Sequence, residues 1–328
     1  MSHNPAMLEE KAGWWRGSPA TVVTSAQLAE VLAAAGLCDS VRRVELLAGG
    51  LVNTNYRLDL AGGETLVLRL YDRDGSACAR EAALLRLVSG HVPVPVIVHT
   101  EPNGFGTLPP LLLMTYIDGI SLRALKATLS DDELGPPARA VGQVLARIHA
   151  FRFPNPGSLG PALEVGPWFA EPPDVVPKLI ESFLPRLEAT LARRVDNFIA
   201  NMADRLRSFD AEACLVHSDY GSANVLLRRL HDRWEVAAVL DWEFAFSGCR
   251  LWDLGNLLRY EHDSRPRFEP QASRGYIEAG GELPDDWRVL ARAFDLVSLC
   301  EMLTRDGIPP DMAAEITGLI ERTMRAGA

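Results

Sequence analysis

The stretch L-V-H-S-D-Y-G-S-A-N-V-L-L, residues 215–227, sets His217, Asp219 and Asn224 in a loop between two apolar runs. Further on, V-A-A-V-L-D-W-E at 236–243 places Asp241 at the end of an apolar strand. These four residues are where the chemistry is expected. A loop bearing Asp and Asn beside a strand end bearing a second Asp suits magnesium-assisted phosphoryl transfer. The ion is hard, takes oxygen ligands, and needs few protein carboxylates because substrate phosphates supply the rest. One more carboxylate is needed to accept or orient the proton of an acceptor hydroxyl.

Downstream of this loop the periodicity is helical, over 251–260, 269–279, 285–305 and 310–325. Immediately upstream, 137–151 and 176–208 carry apolar residues at helical spacing, with Pro137 read as a first-turn proline. Further upstream the pattern changes. Val41–Leu47, Asn55–Leu60 and Thr65–Tyr71 read as strands, with Leu66, Leu68 and Leu70 on one face and Val67 and Arg69 on the other. Ala61-Gly62-Gly63-Glu64 is the turn between the last two. A helix over 77–89 and strands over 94–99 and 111–117 follow. A short helix over 25–36, capped by Ser25 and ended by Gly36, precedes them all. The expected division is an arm and helix at 1–40, a nucleotide-binding lobe at 41–118 and a catalytic and acceptor lobe at 119–328. The fold class is α+β, a small antiparallel sheet followed by a larger, mainly helical lobe.

H-S-D-Y-G-S-A-N at 217–224, L-D-W-E at 240–243 and G-C-R-L-W-D-L-G-N at 248–256 together resemble the aminoglycoside phosphotransferase and choline kinase family. That family shares the bilobal protein-kinase-like fold. The resemblance spans about residues 40–305 and implies specific roles. Asp219 would be the catalytic base, and Asn224 and Asp241 would hold Mg²⁺ against the phosphates of ATP. His217, a catalytic candidate by its place in the loop, becomes loop support, and Asp253 would brace the loop from behind. L-A-G-G-L-V-N-T-N-Y-R-L at 47–58 is similar to the family's phosphate loop, with Gly49 and Gly50 letting the backbone approach phosphate and Asn53 touching phosphate or shaping the turn. Arg69 stands where protein kinases use Lys, and Glu81 would pair with it. M-T-Y-I-D-G at 114–119 resembles the hinge, where Thr115 and Tyr116 would meet the adenine. Q-V-L-A-R-I-H at 143–149 resembles a family helix in which His149 is structural. Ser218, a Gly in many antibiotic kinases, and Trp242-Glu243, in place of the Phe-Gly that follows this Asp in protein kinases, depart from the pattern.

The bulk composition narrows the alternatives. A 328-residue chain with 48% hydrophobic content can bury a sizeable core. A net charge of −10 argues against a nucleic-acid partner. Ordinary solubility accounts for that acidity first, and steering of a cationic acceptor second. Five scattered cysteines without a paired spacing read as reduced thiols, and a cytoplasmic protein is expected. The longest nearly apolar stretch, 108–117, falls short of the roughly 20 residues a bilayer span needs. The N-terminus, with Glu9 and Glu10, lacks the pattern of a signal peptide. Tyr116, Asp118, Glu261, His262, Asp263 and Glu301 are acceptor-side candidates, with Asp118 open to the nucleotide ribose as well; Glu243 is open to the metal or the substrate, and Trp168, Trp252 and Trp287 read as core. The expected acceptor is a small-molecule hydroxyl, with monomer and homodimer both open. A metabolic kinase for choline, homoserine or a sugar-like alcohol is the second reading, and a nucleotide-binding pseudokinase acting as a regulatory module the third.

Overall fold

A computed structural model describes residues 19–47, 53–72, 75–261 and 267–326. Helix α1 (Ser25–Ala34) leads into strands β1 (Val41–Leu46), β2 (Thr54–Leu60) and β3 (Thr65–Leu70), then helix α2 (Gly75–Val88) and strands β4 (Ile97–Glu101) and β5 (Leu111–Thr115). These five strands form one antiparallel sheet in the order β1-β2-β3-β5-β4. Its alternation sorts function from packing. Leu66, Leu68 and Leu70 are fully buried with Leu28, Val31 and Leu32 of α1. Burial of each such side chain stabilises by about 1.5–3 kcal/mol. Arg69 therefore points from the opposite face, toward the helical lobe.

The rest of the chain comprises β6 (Ile120–Ser121), α3 (Leu122–Thr128), α4 (Asp131–His149), β7 (Gly157–Ser158), α5 (Val175–Phe183), α6 (Ala189–Ala200), α7 (Ala203–Arg207) and β8 (Cys214–Val216). Then come β9 (Val225–Leu230), β10 (Arg233–Val239), β11 (Phe246–Gly248), α8 (Leu251–Leu258), α9 (Glu269–Glu278), α10 (Trp287–Leu303) and α11 (Pro310–Ala326). Two small sheets, β10-β9-β6 and β7-β11-β8, frame the loop between β8 and β9 that carries Asp219 and Asn224.

Two helix starts differ from the sequence expectation. Thr24, not Ser25, caps α1, in a capping box with Gln27, while Gly36 turns the chain with φ +73° as expected. Helix α4 starts at Asp131 rather than 137, because Ser130 and Glu133 form a capping box there. Pro136 and Pro137 thus lie inside the helix, past its first turn.

Helices α4 and α9 touch backbone to backbone through reciprocal glycines. A Cβ on Gly142 would lie 1.9 Å from the Ala272 carbonyl oxygen, and one on Gly275 would lie 2.1 Å from that of Arg139. Gly142→Ala is expected to destabilise the protein by about 1–3 kcal/mol, since neither helix can recede from a packed core. Chemical denaturation measures it, and unchanged stability would show that the helices separate freely.

Candidate active site

The loop after β8 is built around its own buried atoms. Ser218 adopts φ +70°, a left-handed conformation that explains why glycine suits this position. That turn aims two consecutive amides at one carboxylate. Asp253 accepts from His217 N at 2.8 Å and from Ser218 N at 2.7 Å. Fully buried at the start of α8, Asp253 also meets His149 Nε2 at 3.1 Å, and His149 Nδ1 meets the Tyr276 hydroxyl at 2.8 Å. The His217 ring is committed to the backbone on both sides. Nδ1 accepts from Asp219 N at 3.2 Å, so Nε2 is the protonated nitrogen and donates to Leu240 O at 3.1 Å. Both ring nitrogens are thus engaged with the backbone of the loop and of the residue before Asp241. Trp242 closes over His217 with ring centroids 4.6 Å apart.

Asn224 donates through Nδ2 to Asp219 Oδ2 at 2.7 Å and to Asp219 O at 3.0 Å. Its backbone oxygen accepts from Leu240 N at 2.9 Å, which places the residue before Asp241 against the loop. Asp241 itself turns with φ +68° off the end of β10. A non-glycine residue held in this region marks a position fixed by its surroundings.

Arg69 crosses from the opposite lobe and meets three carboxylates. Nη2 lies 2.5 Å from Asp241 Oδ1 and 3.3 Å from Glu243 Oε1, and Nε lies 3.2 Å from Glu81 Oε2. Burial alone would lower the Arg69 pKa, but Asp241 and Glu81 hold it well above the usual value. Glu81 takes a further bond from the Tyr71 hydroxyl at 2.6 Å. Glu243, pushed up to about 7 by burial and by Asp241, accepts from Asn53 Nδ2 at 2.8 Å. One guanidinium stands among three carboxylates, and burial together with the nearby Asp241 charge pushes both Glu81 and Glu243 up, as expected of carboxylates crowded around a single cation. Arg69→Lys keeps the charge but loses the fork, so a rise of about tenfold in KM for ATP is expected from steady-state kinetics.

The residue set fits a magnesium ion that arrives with phosphates. The Asn224 amide nitrogen serves Asp219 twice, leaving its oxygen as a ligand atom, and the Asp241 side chain is 29% exposed. Among the described residues no group of three or more His, Cys, Asp or Glu could hold a resident metal. Two protein oxygens are what a phosphate-borne ion requires.

Other expectations fare unequally. Gly49 and Gly50 lie outside the described residues, as do His262 and Asp263. At the hinge segment, the Tyr116 amide donates to Thr65 O at 3.1 Å and the Thr115 hydroxyl accepts from Val96 N at 2.9 Å. Those two groups are thus occupied within the protein. Asp118 is exposed. Glu261 accepts from Arg267 N and Phe268 N ahead of α9, and Glu301 pairs with Arg305 just past the end of α10. Trp252 and Trp287 are buried, and Trp168 packs on Phe246 and Trp252.

Two site residues escaped sequence reasoning. Asn256 is 7% exposed, and its Oδ1 is buried without a hydrogen-bond partner. A Cβ on Gly221 would lie 3.3 Å from that oxygen and 3.7 Å from Asp219 Oδ1, so Asn256 borders the loop. Arg259 grips both oxygens of Asp295, and Asp219 adds to the field that keeps it charged. The spacing Asp253, Asn256 was the available signal, since residues three apart share a helix face.

The model of the phosphotransferase enzyme family known as APH matches residues 43–294. The chain belongs to this phosphotransferase family. It is a small-molecule kinase by that membership, and its fold agrees. A thermostable variant of aminoglycoside phosphotransferase APH(4)-Ia, in a ternary complex with AMP-PNP and hygromycin B, superposes with a TM-score of 0.70 at 21% identity, covering 94% of this chain and 99% of its own. The aminoglycoside 2'-phosphotransferase IIIa in complex with GDP gives 0.68 at 17% identity, covering 93% and 100%. A candidate fructosamine-3-kinase of Thermobifida fusca gives 0.64 at 20%, covering 93% and 98%. At such identities these neighbours establish the fold of the phosphotransferase alone. No curated protein matches it significantly in sequence.

Proposed function

We propose that this phosphotransferase moves the γ-phosphoryl group of ATP to a hydroxyl of a small molecule in the cleft between its two lobes. The observation that carries the reading is the convergence of Asp219, Asn224, Asp241 and Arg69 through one chain of contacts drawn from both lobes.

Asp219 orients the acceptor hydroxyl and takes its proton, while the bond from Asn224 fixes its carboxylate. Arg69, aligned by Glu81, clamps the phosphates. Asn224 and Asp241 would hold Mg²⁺, which when bound neutralises charge on the transferring group. Asp253 and His217 keep the loop amides in register so that Asp219 stays aimed. Chemistry of this kind is mostly positioning, which suits a loop whose buried atoms are so thoroughly bonded.

An APH(4)-Ia neighbour carries hygromycin B and AMP-PNP, which supports a polar hydroxyl acceptor and an adenine nucleotide donor. The pseudokinase reading is disfavoured by the complete set of Asp219, Asn224 and Asp241. A reducing, cytoplasmic setting is supported by the free, buried Cys78, Cys214, Cys249 and Cys300. Among the described residues no helix is long and apolar enough to cross a membrane. An acceptor screen that follows ADP release with aminoglycosides, amino alcohols and sugar-like alcohols tests the reading. ADP release that no acceptor stimulates would sink it.

A further inference from the structure

Arg69 and Asp241 bind each other at 2.5 Å, although the proposed reaction needs each of them for something else. Arg69 must face phosphate and Asp241 must face a cation. A buried guanidinium that loses a carboxylate partner is costly unless another takes its place. Glu81 keeps Nε, at 3.2 Å, and Glu243 is placed to hold Nη2, the nitrogen that Asp241 would give up. Glu243 Oε1 lies 3.3 Å from the same Nη2 that Asp241 holds. Its Oε2 is fixed by Asn53 Nδ2 at 2.8 Å, in a contact buried between segments 190 residues apart. Its backbone oxygen accepts from Arg80 Nε at 3.2 Å and Nη2 at 3.0 Å. The Glu243 side chain is 9% exposed against 29% for Asp241, so Asp241 is the carboxylate more accessible to an incoming cation.

We propose that Glu243, anchored by Asn53, is a positioning residue that retains Arg69 when Asp241 turns from the guanidinium to the cation entering with the nucleotide. This rests on the kinase reading above. It assigns the Trp-Glu pair after Asp241 a purpose: the second carboxylate is a replacement counter-ion rather than a ligand. It also gives Asn53 a task distinct from phosphate contact, that of tying the start of β2 to the far lobe.

The test is calorimetric titration of the full chain with ADP, with and without magnesium chloride, for the parent, Glu243→Gln and Asn53→Ala. Glu243→Gln is isosteric and still accepts from Asn53. Both variants are expected to raise the magnesium concentration giving half-maximal ADP binding by about tenfold, the order of one lost charge-assisted hydrogen bond. Metal-free ADP binding should stay within about threefold, because it does not require Asp241 to leave Arg69. An unchanged magnesium requirement in Asn53→Ala, with a loss in Glu243→Gln, would make Glu243 a direct ligand and overturn the proposal. Equal losses with and without magnesium would reduce both residues to structural support and overturn it too. A parent that binds ADP under neither condition would defeat the kinase reading itself. Melting curves establish folding, and Asn53→Leu, of similar volume, serves if the alanine variant unfolds.

Discussion

Asp219→Asn is expected to lower kcat by about 10²–10⁴-fold, the range of general-base contributions, with nucleotide affinity little changed. The asparagine keeps the volume and retains an oxygen to accept from Asn224, which bonds Asp219 Oδ2 at 2.7 Å. What it loses is the charge that draws the proton from the acceptor hydroxyl. Since Asp219 touches neither Arg69 nor Asp241 among the contacts described, KM for ATP should hold steady while kcat falls. Single-turnover ADP release, with binding measured separately by calorimetry, separates the two. Full turnover in this variant would remove Asp219 from the role of base.

Asp253→Ala is expected to cost about 3–5 kcal/mol of stability, the range for breaking a buried charged network by removing one partner. Its fully buried carboxylate receives the amides of His217 and Ser218 and faces His149 Nε2, the Ser218 contact being only partly buried. Alanine would leave these groups without an acceptor, and each buried donor so orphaned costs about 1–3 kcal/mol. Asparagine would not restore the site, because its NH2 end would face a donor in either orientation: Ser218 N at the Oδ1 position, or His217 N and His149 at the Oδ2 position. Activity should fall too, since Ser218 would lose the bond that sustains its left-handed turn, and Asp219 is the next residue. Denaturant unfolding measures the first effect and kcat at saturating ATP the second. A variant with parental stability would mean that water replaces the carboxylate.

How far the sequence announced this arrangement depends on the distance over which each contact acts. The loop at 217–224 and the strand ending in Asp241 were legible because their chemistry is local: polar residues at short spacing between apolar runs. The alternation that turns Arg69 away from Leu66, Leu68 and Leu70 was legible for the same reason. Strands β6, β7 and β11 have two or three residues each, too few to show a period, and went unseen. The α4 start was misplaced because a proline pair suggested a boundary, whereas the Ser130–Glu133 capping box set it earlier. The Asn53–Glu243 bond joins residues 190 positions apart, and no local pattern encodes such a pair. Asn256 was passed over because its significance lies in what Gly221 lacks, a side chain that would fill the gap between them.

The glycine contact between α4 and α9 has a bearing on efforts to redirect this protein to new acceptors. Helix α4 contributes His149 and, through the Val141 carbonyl, the seat of the Tyr220 hydroxyl; α9 contributes Tyr276, which holds His149. The spacing of the two helices is therefore transmitted to Asp253 and from there to the amide that precedes Asp219. A mutagenesis library that widens this seam would detune the chemical step for every acceptor alike, masking any gain in recognition. Diversity is better placed away from this relay, with Gly142, Gly275, His149, Tyr276 and Asp253 left untouched.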